Sequence, residues 1–247
     1  ERVGLPRGVV NIITGWGREV GAELVKHPGV DMVAFTGGTE TGKEIMKMAS
    51  GNVKKVSLEL GGKSPNIVFG DADLEVAVDG TLAAIFLNQG QMCTAGSRLL
   101  IQKEIHDEFS EKLVSKTKKL KIGNGLNPDT DIGPVISEEQ RKKDLHYIEW
   151  GIKEGARLLV GGKIPEGEEF KRGFFIEPTI FDQVKNDMKI AQDEIFGPVL
   201  SVLTFSTVEE VIELANDTRY GLAGMVWTKD IYKATSVAQR LRAGTVW

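Results

Sequence analysis

The single cysteine of the chain, Cys93, stands among Gly90, Thr94, Ala95, Gly96 and Ser97. Small neighbours leave room for a carbonyl carbon to approach the sulfur, whereas an inert thiol is usually walled in by bulky apolar side chains. Nucleophilic use needs the thiolate, and therefore a nearby base or donor. On local residues alone, a nucleophile and a buried core thiol both stay open. Upstream by 93 − 59 = 34 residues, Glu59 lies in the apolar run Val56-Ser57-Leu58-Glu59-Leu60, followed by Gly61-Gly62. Strand ends beside glycine turns are where α/β proteins hold reactive groups. A carboxylate there can take a proton from water, and a solvated charge at a strand end is the alternative. His27, His106 and His146 form no spaced ligand set, and no Cys-His protease signature surrounds Cys93. Zinc hydrolysis and histidine-assisted thiol hydrolysis are thus poorly supported, and no metal is expected.

A second group of residues suits an anion. Gly37-Gly38-Thr39-Glu40-Thr41-Gly42-Lys43-Glu44 follows a strand-like run and opens a helical one, so its free amides and the helix dipole favour a phosphate. The spacing also fits a P-loop, but Glu44 occupies the position of the magnesium-binding hydroxyl; at Lys63-Ser64 the required first glycine is Ser57. Gly15-x-Gly17-x-x-x-Gly21 is one residue longer than a dinucleotide fingerprint and reads equally well as a strand-to-helix turn.

Positioning these groups takes alternating strands and helices. Strands are predicted at 9–14, 32–36 and 53–60, with helices over 18–26 and after Gly38. Their apolar runs show little alternation, as expected of a parallel sheet covered on both faces. The pattern restarts after Leu60. A strand is predicted at 66–69, then a helix capped by Asp71 or Asp73, a polar loop from Asn88 to Cys93, and a strand at 98–102. Helices follow over 105–121 and 138–154, and strands at 157–160, 174–181 and 199–205. Ser206 and Thr207, with Glu209 and Glu210, offer overlapping capping boxes, and a β-α-β passage over 223–247 ends the chain. The fold class is α/β, with parallel sheets flanked by helices and a domain boundary near Leu60.

Composition removes several classes of function. With 31 Lys+Arg against 35 Asp+Glu the formal charge is −4 over 247 residues, which disfavours nucleic acid and anionic membrane surfaces. The longest apolar run, Leu82 to Leu87, is far short of the about 18 residues of a membrane span. One cysteine excludes an internal disulfide framework and points to a reducing, cytoplasmic compartment. A start at Glu1 without methionine and an end at Trp247 inside an apolar run lead us to expect a piece of a longer protein.

Together, these residues form a pattern. The chain resembles the aldehyde dehydrogenase superfamily over essentially its whole length. The motifs are Leu5-Pro6-x-Gly8-Val9-Val10-Asn11, Phe35-Thr36-Gly37-Gly38-Thr39-x-x-Gly42, Leu58-Glu59-Leu60-Gly61-Gly62-Lys63-Ser64-Pro65, Asn88-Gln89-Gly90-Gln91-x-Cys93 and Glu194-Ile195-Phe196-Gly197-Pro198-Val199. The resemblance implies part of a Rossmann-like NAD(P)-binding domain over 1–60 and an α/β catalytic domain over 61–247. It implies oxidation of an aldehyde with NAD, or NADP, as cofactor. Cys93 would be the nucleophile and Glu59 the general base. Gly37, Gly38, Thr39 and Gly42 would hold the pyrophosphate, Glu194 the nicotinamide ribose, and Phe196 and Leu60 the nicotinamide. Gly38 departs from the serine common in this loop, so backbone amides must suffice there. The Phe35-Thr36-Gly37-Gly38 variant with Glu40-Thr41-Gly42-Lys43 looks most like bacterial betaine aldehyde dehydrogenases. A homo-oligomer, dimer or tetramer, is implied by the same likeness. The family's asparagine oxyanion donor lies upstream of Glu1, so the isolated chain is expected to be weakly active or inactive. The alternatives are a CoA-acylating relative, against which Glu59 counts, and a non-catalytic cofactor-binding or structural fragment.

Overall fold

A computed structural model describes residues 3–247. The chain forms two compact units, the first ending at Gly61 and the second running from Gly62 to Trp247. In the first, a π-turn, Gly17–Gly21, leads into α1 (Ala22–Lys26), followed by β1 (Met32–Thr36), α2 (Thr39–Ala49) and β2 (Lys55–Glu59). β1 and β2 pair in parallel, Met32 opposite Lys55 through Thr36 opposite Glu59. Val33, Phe35, Val56 and Leu58 pack on Val25 of α1 and on Ile45 and Ala49 of α2. The other strand face is exposed within this unit, so the expected cover on both faces is not met among these residues. The strand predicted at 9–14 does not form: Val9, Val10, Ile12 and Ile13 are exposed and in irregular backbone. A strand needs a neighbour for its N–H and C=O groups, and among the described residues the sheet of this unit holds β1 and β2 alone.

The second unit contains β3 (Pro65–Val68), α3 (Leu74–Phe86), β4 (Arg98–Gln102), α4 (His106–Thr117), α5 (Glu138–Lys153), β5 (Arg157–Val160), β6 (Thr179–Asp182), α6 (Lys189–Gln192), β7 (Val199–Phe205), α7 (Val208–Asn216), β8 (Ala223–Trp227), α8 (Ile231–Arg240) and β9 (Thr245–Val246). Its sheet runs β5-β6-β7-β4-β3-β8-β9, parallel except where β5 meets β6. The central strands are buried along their length, which explains their unbroken apolar character. Ile67, Leu100 and Leu203 face Ile148, Val211 and Val237 of α5, α7 and α8. Val68, Leu99, Ile101 and Val202 face Ala77, Ile85, Phe109 and Leu113 of α3 and α4.

Caps and prolines set the element ends. Asp73, not Asp71, caps α3 by accepting from the Val76 N–H at 3.2 Å; Asp71 instead takes the Thr228 hydroxyl at 2.7 Å. Thr207 caps α7, while Glu210 reaches back to the Ser206 N–H at 2.7 Å. The strand predicted over 174–181 pairs only from Thr179, because Pro178 has no N–H to give a ladder.

One buried cation organises the sheet's amino-terminal edge. Arg98, at the start of β4, is fully buried. Its Nε donates to the Lys63 carbonyl at 3.1 Å, and its other nitrogens to the carbonyls of Leu214 at 2.9 Å and Ala215 at 2.7 Å. Burial lowers the guanidinium to about 10, so it remains charged at neutral pH. Three carbonyls lose their donor in Arg98→Ala, so we expect a loss on the order of 3 kcal/mol in urea unfolding. An unchanged midpoint would show that the contacts are dispensable.

Candidate functional site

In the first unit the candidate residues sit at the carboxyl ends of the parallel strands. Gly37 follows β1 and its N–H donates to the Glu59 carbonyl, at the end of β2, at 3.0 Å. The two strand ends are thereby tied together. Gly38 is the N-cap of α2, in extended backbone and without a side-chain cap. The first-turn amides, Thr39 among them, therefore keep donors for a guest. A side-chain carbon added at Gly38 would meet nothing within 4 Å, whereas one at Gly42 would lie 2.7 Å from Leu60. Gly42 thus lets Leu60 lie against the helix. The Glu59 side chain is exposed in this unit. Lys43 pairs with Glu40 at 2.7 Å on the exposed helix surface, occupied as a P-loop lysine would not be.

In the second unit three loops meet at the amino-terminal edge of the sheet: the approach to β3 through Gly62, the turn from Asn88 to Cys93 before β4, and Glu194–Pro198 before β7. Backbone packs directly on backbone there. A Cβ on Gly62 would lie 2.3 Å from the Cys93 carbonyl oxygen, and one on Gly90 would lie 2.2 Å from the Gly197 carbonyl oxygen. The Gly62 N–H donates to the Glu194 carboxylate at 3.3 Å. Cys93, Gly62, Glu194 and Gly197 are thus brought together, as their sequence positions alone do not require.

The turn before Cys93 is strained. Asn88, Gln89 and Gly90 are consecutive left-handed residues, with φ of 52°, 57° and 71°. The two non-glycine members each cost on the order of 1–3 kcal/mol unless the surroundings impose them. Here they do: the Asn88 amide donates to the Gln91 carbonyl at 3.2 Å, and the Gln91 side-chain oxygen accepts from the Ile136 N–H at 2.8 Å. Phe196, in the facing loop, is left-handed as well, at φ 63°. Cys93 itself is free and half-buried. On one side, Leu87, Met92, Thr94, Met225, Trp227 and Trp247 help to line a mainly apolar groove of about 490 Å³. Trp227 is fixed there by its indole N–H, which donates to Asn66 at 2.7 Å.

Residues to which no role was assigned from the sequence surround this arrangement. Lys63 is buried, its Nζ has no hydrogen-bond partner among the described residues, and burial lowers its amine to about 7. Asp193 joins the Tyr147 hydroxyl at 3.2 Å and Arg219 at 3.4 Å. On α5, Lys143 donates to the Glu194 carbonyl at 2.9 Å and Gln140 to the Ile195 carbonyl at 2.9 Å. The available signal was a charge out of pattern: Asp144 shares the helix stripe of Ile148 and Gly151, and all three are buried.

The profile of the aldehyde dehydrogenase family matches residues 1–247. Betaine aldehyde dehydrogenase of Bacillus subtilis (strain 168) is 60% identical over 247 residues, all of this chain and 50% of that protein. The mitochondrial aldehyde dehydrogenase of Homo sapiens is 50% identical over 248 residues, all of this chain and 47% of that protein. The 1.90 Å crystal structure of betaine aldehyde dehydrogenase from Staphylococcus aureus in complex with NAD+ matches with a TM-score of 0.97 at 51% identity, covering 100% of this chain and 49% of that one. The chain thus spans about half the length of these relatives. Gly90→Ala combines a disfavoured φ with a clash on the Gly197 carbonyl, so we expect a loss of at least about 2 kcal/mol and a faster alkylation of Cys93. A thermal melt and iodoacetamide kinetics check both, and wild-type values in both would contradict the packing described.

Proposed function

Because this chain belongs to the aldehyde dehydrogenase family, we propose that it serves the NAD-dependent oxidation of an aldehyde to a carboxylic acid. Cys93 is the nucleophile and Glu59 the general base. The observation that carries this reading is the convergence of Gly62, Glu194 and Gly197 on the Cys93 turn. Such a close backbone assembly around a half-exposed thiol is what a thiol-ester chemistry needs. Betaine aldehyde is the proposed substrate, supported by the 60% identity to the Bacillus subtilis enzyme.

The residues fit a dinucleotide. The uncapped first turn of α2, with Gly37, Gly38, Thr39 and Gly42, offers amides to a pyrophosphate. The Glu194 carboxylate is half-buried and receives one weak bond from Gly62, leaving lone pairs for ribose hydroxyls. Phe196 and Leu60 would border the nicotinamide. When bound, the cofactor supplies the acceptor for the hydride that leaves the former aldehyde carbon. The Cys93 thiolate attacks the carbonyl carbon, forming a C–S bond and an oxyanion, for which the Cys93 N–H is an available donor. Loss of hydride leaves a thioester on Cys93. Glu59 then takes a proton from water, whose oxygen adds to the thioester carbonyl; the C–S bond breaks, the acid leaves and the thiolate returns. The segments 1–60 and 61–247 would accordingly belong to the cofactor and catalytic domains. A cytoplasmic location is supported by the lone cysteine, and a homo-oligomer by the resemblance.

The test is mass spectrometry of the full-length protein with betaine aldehyde and NAD. Cys93→Ala is expected to lower turnover by about four orders of magnitude or more. Glu59→Gln should lower it about 10²–10⁴-fold and accumulate an acyl adduct on Cys93, with NADH formed once per site. If the unmodified protein turns over no simple aldehyde and forms no adduct, both assignments fail and a non-catalytic fragment becomes the better reading.

A further inference from the structure

Three residues of one loop, Glu194, Ile195 and Gly197, rest on one short stretch of α5. Lys143 Nζ donates to the Glu194 carbonyl at 2.9 Å, and the Gln140 amide donates to the Ile195 carbonyl at 2.9 Å. The carboxyl group of Asp144 lies flat against Gly197, where an added Cβ would meet Oδ1 at 2.2 Å, Cγ at 2.4 Å and Oδ2 at 2.6 Å. Asp144 is fully buried. Its Oδ1 accepts from the same Gln140 amide at 2.7 Å, while Oδ2 has no partner among the described residues. No catalytic step described above uses this carboxyl, and an apolar side chain would fill a helix stripe at less cost. We propose that the Gln140–Asp144 face of α5 positions the Glu194–Gly197 loop, and that the charge on Asp144 sets how firmly that loop is held. The consequence for cofactor binding rests on the reading of Glu194 as a ribose-binding residue.

The groups around Asp144 define the sign. On its own helix Lys143 lies beside it and favours the carboxylate, as does the Gln140 hydrogen bond, but burial outweighs both and raises the carboxyl to about 7. On the facing loop, Glu194 turns its carboxylate to the Gly62 N–H. Asp193 is engaged by Tyr147 and Arg219. On α6, Lys189 stacks its ammonium on Trp150 at 3.6 Å, and on β5 Arg157 is exposed. None of these supplies a donor to Oδ2. In the unfolded chain Asp144 ionises near 3.8, so the folded form binds the extra proton between about 4 and about 7. The stability that this proton contributes is present at low pH and is lost as pH rises through that window. Near neutrality the carboxyl becomes a charge pressed against Gly197 with a donor to Oδ1 alone and none to Oδ2, and moving Gly197 aside to admit water relieves it. Gly197 carries the carbonyl on which Gly90 packs, so the displacement reaches the turn before Cys93 as well as Glu194.

Hydrogen exchange of the peptide covering 193–199, measured on the full-length protein from pH 5.5 to 8.5 and corrected for intrinsic rates, reads the loop directly. Protection is expected to fall about fivefold or more with a midpoint near 7, and to stay level in Asp144→Asn, which keeps the shape without the charge. Gln140→Leu removes the one donor to Asp144, and so should move the midpoint to higher pH; this variant decides the matter should Asp144→Asn fail to fold. The affinity for NAD, followed by quenching of tryptophan fluorescence, should weaken over the same pH range in the unmodified protein only. An identical exchange profile in unmodified and Asp144→Asn proteins, or no pH step in the unmodified protein, overturns the proposal. An exchange step without any NAD binding would sustain the role of Asp144 while refuting the cofactor reading of Glu194.

Discussion

Backbone touching backbone is the constraint on which the rest of the second unit depends. Gly62 meets the Cys93 carbonyl and Gly90 meets the Gly197 carbonyl at separations no Cβ allows. Three loops separated by long stretches of sequence are therefore locked at van der Waals distance without a side chain between them. Such contacts have few adjustable torsions, so a displacement at one loop is passed to the others and not absorbed. Precision at Cys93 then follows from the rigidity of its neighbours, and the strained turn from Asn88 to Gly90 persists because the Gly197 loop and the Gln91 hydrogen bonds leave it no alternative.

Buried polar groups anchor those loops to the sheet. Arg98 binds the carbonyl of Lys63 and, from the same guanidinium, the carbonyls that end α7. A side chain presenting several donors in a fixed plane can do this where a lysine could satisfy fewer partners. Asn66 joins Thr81 of α3 to the Trp227 indole, which fixes a wall of the groove beside Cys93. These groups are satisfied, whereas Lys63 and Asp144 each retain an orphaned polar atom. The difference separates residues that hold the framework from residues whose charge state the fold leaves sensitive to pH.

Much of this was legible in the residues. The strands expected at 66–69, 98–102 and 199–205 form as β3, β4 and β7, and the dipeptide Gly37-Gly38 marked a helix start with free amides; the cover on both faces expected of the first strands is found on these later ones instead. Cys93 and Glu59 drew attention through their neighbours. The strand expected at 9–14 does not form, because an apolar, β-rich run reports what a segment can do and not whether it pairs. The roles of Arg98 and Asp144 were not legible for a related reason, although Asp144 stands out as a charge in its helix stripe. A charge in an apolar stretch looks like an exposed edge until the carbonyls of Leu214 and Ala215, or the Cα of Gly197, are seen to face it. Their roles lie in contacts across the fold, which no local pattern encodes.

The candidate residues of the two units lie at opposite ends of their strands. Glu59 and Gly37 follow the rule that ligands sit beyond the carboxyl ends of parallel strands. Cys93, Gly62 and Glu194 sit at the amino ends instead, where each strand receives the chain from a preceding segment. For Cys93 that segment is α3, which ends at Phe86 and presents the negative pole of its dipole. The left-handed residues Asn88 to Gly90 turn the chain between that helix and Cys93, and three residues past Cys93 the Gly96 N–H donates to the Ala84 carbonyl, in the last turn of α3, at 3.0 Å. The strained turn is therefore closed against the helix it follows, and that closure holds the Cys93 carbonyl against Gly62.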